Sequence, residues 1–324
     1  MTQPILDRIA RATGVPGLLD LLSTRLTPTD LQSLLLAVYH ARAARQTPAR
    51  VLDQYRHNRF VRPAAVDLRT RLAVDALALR CVPAFAALDL APVAPLGTTS
   101  ALAPVDQNTV VATSRNTEVV SDSTNVLALE CAERRRAQRA AGADPAARVR
   151  LCTSQRLTRA QNYGRPGLQA HFQIFALCTA GRAGAGYGAE LAMLGEQLTG
   201  WLTFLAALPE IGYPAPAVRV VLTDLTDPAF AARLPDALLI PLAARFPAAQ
   251  LEFEPDRITG AGYYELARYH IYATTAAGTE HELADGGFTN WTQQLLGDRK
   301  ERLLISGLGT ERICTLFRPA PEPG

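Results

Sequence analysis

Lysine is almost missing from this chain: Lys300 is the only one, and arginine supplies the rest of the 33 basic residues. With the abundant alanine this reads as the imprint of a GC-rich genome and carries no functional signal. A formal net charge of +3 is too small to hold nucleic acid by bulk electrostatics, which calls for cations clustered on one face. Cysteine is sparse and scattered: Cys81, Cys131, Cys152, Cys178 and Cys314 form no Cys-x-x-Cys pair. A disulfide framework and a zinc knuckle are therefore excluded, and free thiols are expected. No apolar run reaches the roughly 18 residues of a membrane helix, and Met1 to Asp7 lacks the basic start and apolar block of a signal peptide. The expectation is a cytoplasmic protein without a membrane segment. Internal repeats and low-complexity linkers are also missing.

What is present suits one large domain, or a large domain with a small appendage, within 324 residues. Thr27-Pro28 and Thr47-Pro48 are start signals for helices over Leu31 to Ala44 and Ala49 to Arg59. Residues 1–62 thus read as a helical appendage, in which His40 and His57 are expected at the surface. Arg62-Pro63 marks the boundary of the part from 63 to 324. There Ala64 to Val82 has helical periodicity, and Leu88 to Pro95 is a proline-punctuated extended piece. Ala189 to Leu208 is the clearest helix. The cluster Arg134-Arg135-Arg136 with Arg139 reads as a solvated helix end. Strand-like runs occur at Asn108 to Thr113, Val149 to Ser154, Val218 to Leu222, Leu251 to Phe253, Tyr269 to Thr274 and Leu303 to Ile305. They do not alternate regularly with helices, so the expected class is α+β with a largely antiparallel sheet.

Four segments carry potential chemistry. Leu303 to Ile305 runs into Gly307-Leu308-Gly309 and then Arg312, where bare backbone and a planar cation could meet a phosphate; a tight strand-to-helix turn would look the same. Arg159, the loop Asn162 to Gln169, and His171 with Phe175 read as a hairpin offering an arginine and aromatic faces; the alternative puts Phe175 in the core. In Ser121-Asp122-Ser123-Thr124 the carboxylate and hydroxyl could hold an ammonium group or merely cap the following helix. Tyr263-Tyr264 and Gly286-Gly287-Phe288 pair glycines with aromatics, as strands do where something must come close.

In order and spacing, Ala64 to the C-terminus resembles the catalytic core of a class II aminoacyl-tRNA synthetase, most closely the histidyl branch and its non-synthetase relatives. Ala64 to Pro95 matches the dimer-interface motif, Arg159 with His171 and Phe175 the second motif, and Gly307, Gly309 and Arg312 the third. Asp122 and Thr124 stand where that branch binds the substrate ammonium, with Tyr263, Tyr264, Gly286 and Gly287 around the amino-acid pocket. The resemblance implies an antiparallel sheet with flanking helices and a homodimer. It also implies ATP with Mg²⁺, Arg159 on the α-phosphate, His171 beside the nucleotide, Phe175 on adenine and Arg312 on the γ-phosphate. Glu265, Glu282 and Asp285 are candidate Mg²⁺ ligands.

The chain departs from the family at Gln161, where an acidic residue is expected, at Thr259, where an arginine is expected with Arg257 out of register, and at Gly262, where another acid is expected. A dozen residues follow Arg312, so no anticodon-binding domain and no tRNA substrate are expected. The implied function is a paralogue that binds ATP and adenylates an amino acid or related small carboxylate for a non-tRNA acceptor. The alternative is a catalytically silent amino-acid sensor with a protein partner, like the regulatory subunit of ATP phosphoribosyltransferase.

Overall fold

The computed structural model describes residues 3–161, 169–225, 228–254 and 262–318. Helices α1 (Gln3–Thr13), α2 (Pro28–Ala43) and α3 (Pro48–His57) come first and bury no residue. Thr27 and Thr47 cap α2 and α3, each accepting a backbone N–H three residues on, with proline in the first turn. His40 and His57 are exposed, as expected. Helix α4 (Leu68–Cys81) starts later than the periodicity suggested, because the Asp67 carboxylate caps it through the Thr70 N–H at 3.0 Å.

The strands are β1 (Ala86–Ala87), β2 (Val93–Pro95), β3 (Thr117–Val119), β4 (Val149–Thr158), β5 (His171–Arg182), β6 (Ala217–Asp224), β7 (Ala249–Phe253), β8 (Glu265–Thr274), β9 (Glu280–Thr289) and β10 (Glu301–Leu308). Eight of them form one sheet in the order β1-β4-β5-β10-β9-β8-β6-β7, with β2 and β3 paired separately. Only the β1–β4 and β6–β7 pairs at the two edges are parallel. The fold is α+β with a largely antiparallel sheet, as expected. The run Asn108 to Thr113 is not a strand. Asp106 accepts the Asn108 N–H at 2.9 Å and starts a 3₁₀ turn over Gln107–Thr109, leaving Ala112 a single bridge to Glu118. An Asx turn here outcompetes the β-branched residues after it.

Each face of the sheet has its own core. On one face Phe175, Leu177, Tyr269, Ile271 and Leu304 pack against α4, α6 (Gly188–Ala207) and α8 (Thr310–Leu316). Helical residues Ala185–Ile211 are, contrary to the expectation from unbroken apolar runs, long and apolar enough to cross a membrane. Here they are mostly buried on the sheet. Trp201 donates to the Ser306 hydroxyl at 3.0 Å, and Gln197 donates to the Leu304 carbonyl at 3.1 Å. On the other face α5 (Ser123–Ala140) and α7 (Trp291–Leu296) cover Leu151, Ala176, Cys178, Leu303 and Ile305.

The arginine cluster of α5 is only partly a solvated end. Arg134 and Arg136 pair at the surface with Glu130 and Glu133. Arg135 instead turns inward onto the fully buried Glu301, because the helix period carries it to the sheet side.

Candidate functional site

The helices α5 and α7 leave part of their face of the sheet open, and a groove with two lobes runs across it. The inner lobe encloses about 540 Å³ and the outer about 370 Å³; both are lined by Arg159, Ile174, Asp285 and Gly307. Each lobe is large enough for a small ligand. Gly307 lies opposite Asp285 on β9 and Ala176 on β5. A Cβ on it would stand 3.2 Å from Ile174 Cγ2, so a side chain here would crowd the passage between the lobes.

Asp122 caps α5: its Oδ1 accepts from the Thr124 N–H at 3.0 Å and from the Thr124 hydroxyl at 2.8 Å. The capping reading holds, and the capping pair also lines the inner lobe. Arg159 follows β4. Its Nε donates to the Ser121 carbonyl at 3.0 Å, its Nη2 lies 3.5 Å from Asp122 Oδ2, and its guanidinium stands 5.1 Å from the Phe172 ring centre.

Tyr263 and Tyr264 meet edge to face at 4.8 Å, and Tyr263 does the same with Trp291 at 5.7 Å. The Tyr264 hydroxyl donates to Asp285 at 2.8 Å. Burial pushes both phenols up, and the neighbouring carboxylates Asp122 and Asp285 push them further, so these tyrosines remain neutral donors. A bulge between Glu265 and Arg268, with Leu266 at φ 57°, sets Arg268 instead of Leu266 opposite Gly287. Arg268 and His270 thereby join the wall of the inner lobe, a local use of a bulge to re-aim a side chain.

The glycine pair of β9 makes room for rings. A Cβ at Gly286 would lie 2.7 Å from Tyr269 Cζ, and one at Gly287 would lie 2.6 Å from Tyr264 Cδ1. Gly287 thus bears on the inner lobe through Tyr264, whereas Gly286 makes room for Tyr269 in the core of the other face.

In the outer lobe Gly309 begins α8 and Arg312 follows on its first turn, exposed and without an ion pair to any described residue. The aromatic of this lobe is Phe172. Phe175, the residue expected on adenine, is fully buried on the opposite face, edge to face with Trp201 at 6.0 Å. His171 also faces away: Nδ1 accepts from Arg156 at 3.0 Å and Nε2 donates to the Arg62 carbonyl at 2.6 Å. The reason is strand alternation, which sends 171, 173 and 175 to one face and 172 and 174 to the other.

The three candidate Mg²⁺ carboxylates do not converge. Glu265 accepts from Asn290, Glu282 pairs with His270, and Asp285 accepts from Tyr264. Among the described residues no group of three His, Cys, Asp or Glu could hold a metal ion. Gln161 lines the inner lobe and Gly262 precedes the tyrosine pair at φ 96°; Arg257 and Thr259 lie outside the described residues.

Glu118 on β3 braces the wall of the inner lobe. It accepts from the Gly97 and Thr99 N–H groups at 2.8 Å each, from the Thr99 hydroxyl at 2.7 Å and from Gln107 Nε2 at 2.9 Å. Burial opposes its charge, but these hydrogen bonds outweigh it and hold the carboxyl below the usual glutamate value. A lowered carboxyl contributes stability that is present above the ordinary glutamate pKa and lost as pH falls through the folded value. Thermal melts across the acid range should therefore show a decline that Glu118→Gln flattens; identical slopes would refute this contribution.

The sheet with its flanking helices has a class II aminoacyl-tRNA synthetase-like fold. Similar structures come from the histidyl branch and its relatives. One is an ATP phosphoribosyltransferase regulatory subunit/histidyl-tRNA synthetase from Bacillus halodurans, with TM-score 0.56 and 11% identity over 80% of this chain and 83% of that one. A histidine–tRNA ligase subunit from Alicyclobacillus acidocaldarius gives TM-score 0.54 and 14% identity, covering 79% and 96% respectively. Apo histidyl-tRNA synthetase from S. aureus gives 0.53 and 12%, covering 76% of this chain and 64% of its own. At such identities the likeness establishes the fold alone. No protein-family model matches the sequence, and no curated protein is similar to it in sequence.

Proposed function

We propose that this class II synthetase-like paralogue binds ATP in the outer lobe and an amino acid or related small carboxylate in the inner lobe, and joins them as an adenylate for an acceptor other than tRNA. The observation that carries the reading is one groove holding Arg159 at the junction of the lobes, Phe172 beside it and the exposed Arg312 at the outer end. Phe172 offers a face for the base, Arg312 a cation for the terminal phosphates, and Arg159 a fork for the α-phosphate. Attack by the ligand carboxylate on the α-phosphorus expels pyrophosphate. The arginines position the groups and offset the developing charge.

A second reading, an amino-acid-sensing regulatory subunit, is favoured by Gln161, which lines the inner lobe where the resemblance calls for a carboxylate. Pyrophosphate exchange across a panel of amino acids separates the two: exchange with one amino acid supports adenylation, and silence with all of them supports the sensor. In either reading the exposed Leu68, Leu72 and Leu79 of α4 suit a second copy or a partner subunit.

Millimolar ATP with Mg²⁺ is expected to raise the melting temperature, as a ligand of the native state must. Arg312→Ala should abolish the shift. Phe172→Ala should weaken binding on the order of 10-fold through the lost stacking. Phe175→Ala should instead lower the stability of the ligand-free protein by about 3–5 kcal/mol while ATP still binds. Equal ATP shifts in wild type and Arg312→Ala would refute the outer-lobe assignment.

A further inference from the structure

Asp285 stands on β9 where the two lobes meet, and it lines both. Its cross-strand neighbours are Gly307, which has no side chain, and His270, and the residue is exposed to the open groove. Oδ2 accepts from the Tyr264 hydroxyl at 2.8 Å, whereas Oδ1 has no hydrogen bond and the carboxylate no ion pair with any described residue. The charged groups around it do not supply one. His270 pairs with Glu282 at 2.9 Å, Arg159 Nη2 lies 3.5 Å from Asp122, and Arg268 is 2% exposed. Protein encloses Asp285 on every side but the groove, and this crowding, with Asp122 and Glu282, pushes the carboxyl up from the ordinary aspartate value; the Tyr264 bond and His270 oppose it only in part. The surroundings thus disfavour the negative charge, and an arriving cation would be stabilised there.

We propose that the inner lobe takes an amino acid whose side chain ends in a cation, an ammonium or a guanidinium, and that Asp285 is the residue that selects it. The inference rests on the reading of the inner lobe as an amino-acid pocket. An amino acid with an uncharged side chain brings one cation, its α-ammonium, and one anion. The lobe offers two carboxylates, Asp122 and Asp285, and the ligand's own carboxylate competes with Asp122 for Arg159. Whichever carboxylate the α-ammonium takes, the other is left short of a cation in a groove from which the ligand has displaced water, and an uncompensated charge there is costly. A cation on the side chain removes that deficit and makes a charge-assisted hydrogen bond to Asp285 Oδ1. Norleucine, which matches the lysine chain without its charge, fills the same space and leaves Oδ1 unpaired. A glutamate side chain adds a third carboxylate to the two in the wall. Sites built to pair a polar group reject ligands that lack its partner far better than apolar pockets reject a missing methylene.

The test is thermal stabilisation of the full chain by lysine, ornithine, arginine, norleucine, glutamine, histidine and glutamate, each with and without ATP and Mg²⁺, in wild type and Asp285→Asn. Lysine, ornithine or arginine should stabilise wild type most. In Asp285→Asn that ligand should bind on the order of 10- to 100-fold more weakly, for one lost charge-assisted bond, so that lysine falls to the level of norleucine. The ligand-free variant should melt at or above the wild-type temperature, because it removes a charge that the surroundings disfavour while the asparagine Oδ1 still accepts from Tyr264; a merely structural carboxylate would lower it. Equal weakening of every amino acid, norleucine included, places Asp285 on the common α-ammonium and overturns the inference. So does an Asp285→Asn protein that loses the ATP shift and keeps the amino-acid ranking of wild type, which assigns the carboxylate to the nucleotide. Stabilisation by uncharged or acidic side chains in preference to cationic ones also overturns it and leaves the amino-acid pocket standing. Stabilisation by none of the seven overturns both.

Discussion

Replacing Glu301 by alanine is expected to destabilise the protein by about 3–5 kcal/mol, the cost of leaving a buried charge without its partner. Glu301, fully buried at the start of β10, accepts from Arg135 Nε at 3.0 Å and Nη2 at 3.1 Å, and from Arg139 Nη2 at 2.6 Å. Arg135 also donates to the Ala147 carbonyl at 2.7 Å and to Gln138 at 2.9 Å. Those bonds do not neutralise it. Its side chain is 3% exposed, so water cannot take over from the missing carboxylate. The control is Glu130→Ala, which breaks a half-exposed i,i+4 pair with Arg134 and should change stability by no more than about 0.5 kcal/mol. Urea denaturation measures both. A Glu301→Ala protein as stable as the control would show that the buried pair does not hold α5 to the sheet.

Alanine at Gly286 or Gly287 should cost about 1–3 kcal/mol as overpacking, with different consequences for the site. At Gly286 the new Cβ would meet Ser306 Cβ at 2.6 Å and both the Ile305 carbonyl and Tyr269 Cζ at 2.7 Å. Backbone cannot swing aside as a flexible side chain can, so the strain spreads through the β9–β10 pair. At Gly287 the new Cβ would meet the Ala267 carbonyl at 2.8 Å as well as Tyr264 Cδ1 at 2.6 Å, so a ring of the inner lobe must give along with the backbone. Relief there pushes the ring toward the inner lobe and pulls its hydroxyl off Asp285. Gly287→Ala should therefore lose inner-lobe ligand binding more severely than Gly286→Ala at similar stability. Gly188→Ala, in open space on the first turn of α6, should be neutral or slightly stabilising. Equal ligand binding in Gly287→Ala and Gly286→Ala would rule out the route through Tyr264.

Helix starts were legible wherever a cap announced them, as at Thr27-Pro28 and Thr47-Pro48, because a cap acts within one turn. The capping role of Asp122 was legible for the same reason. The fold class followed from strands adjacent in sequence, which pair antiparallel through short connections. The groove residues were less accessible to local reasoning. His171 and Phe175 stand one and three positions from Phe172, and any odd spacing along a strand exchanges its two faces. Arg135 reads locally as a surface cation, because nothing nearby in sequence announces a carboxylate 166 positions away.

The sequence by itself therefore determined most of the elements, the α+β class and the glycine-bearing turn from β10 into α8, since capping, periodicity and glycine spacing act over a few residues. The tertiary structure alone decided which face each side chain took. It put Phe172 in the groove and Phe175 in the core, and the β8 bulge set Arg268 where a regular ladder would have set Leu266. Register, bulges and burial are properties of paired strands, so no single strand can specify them.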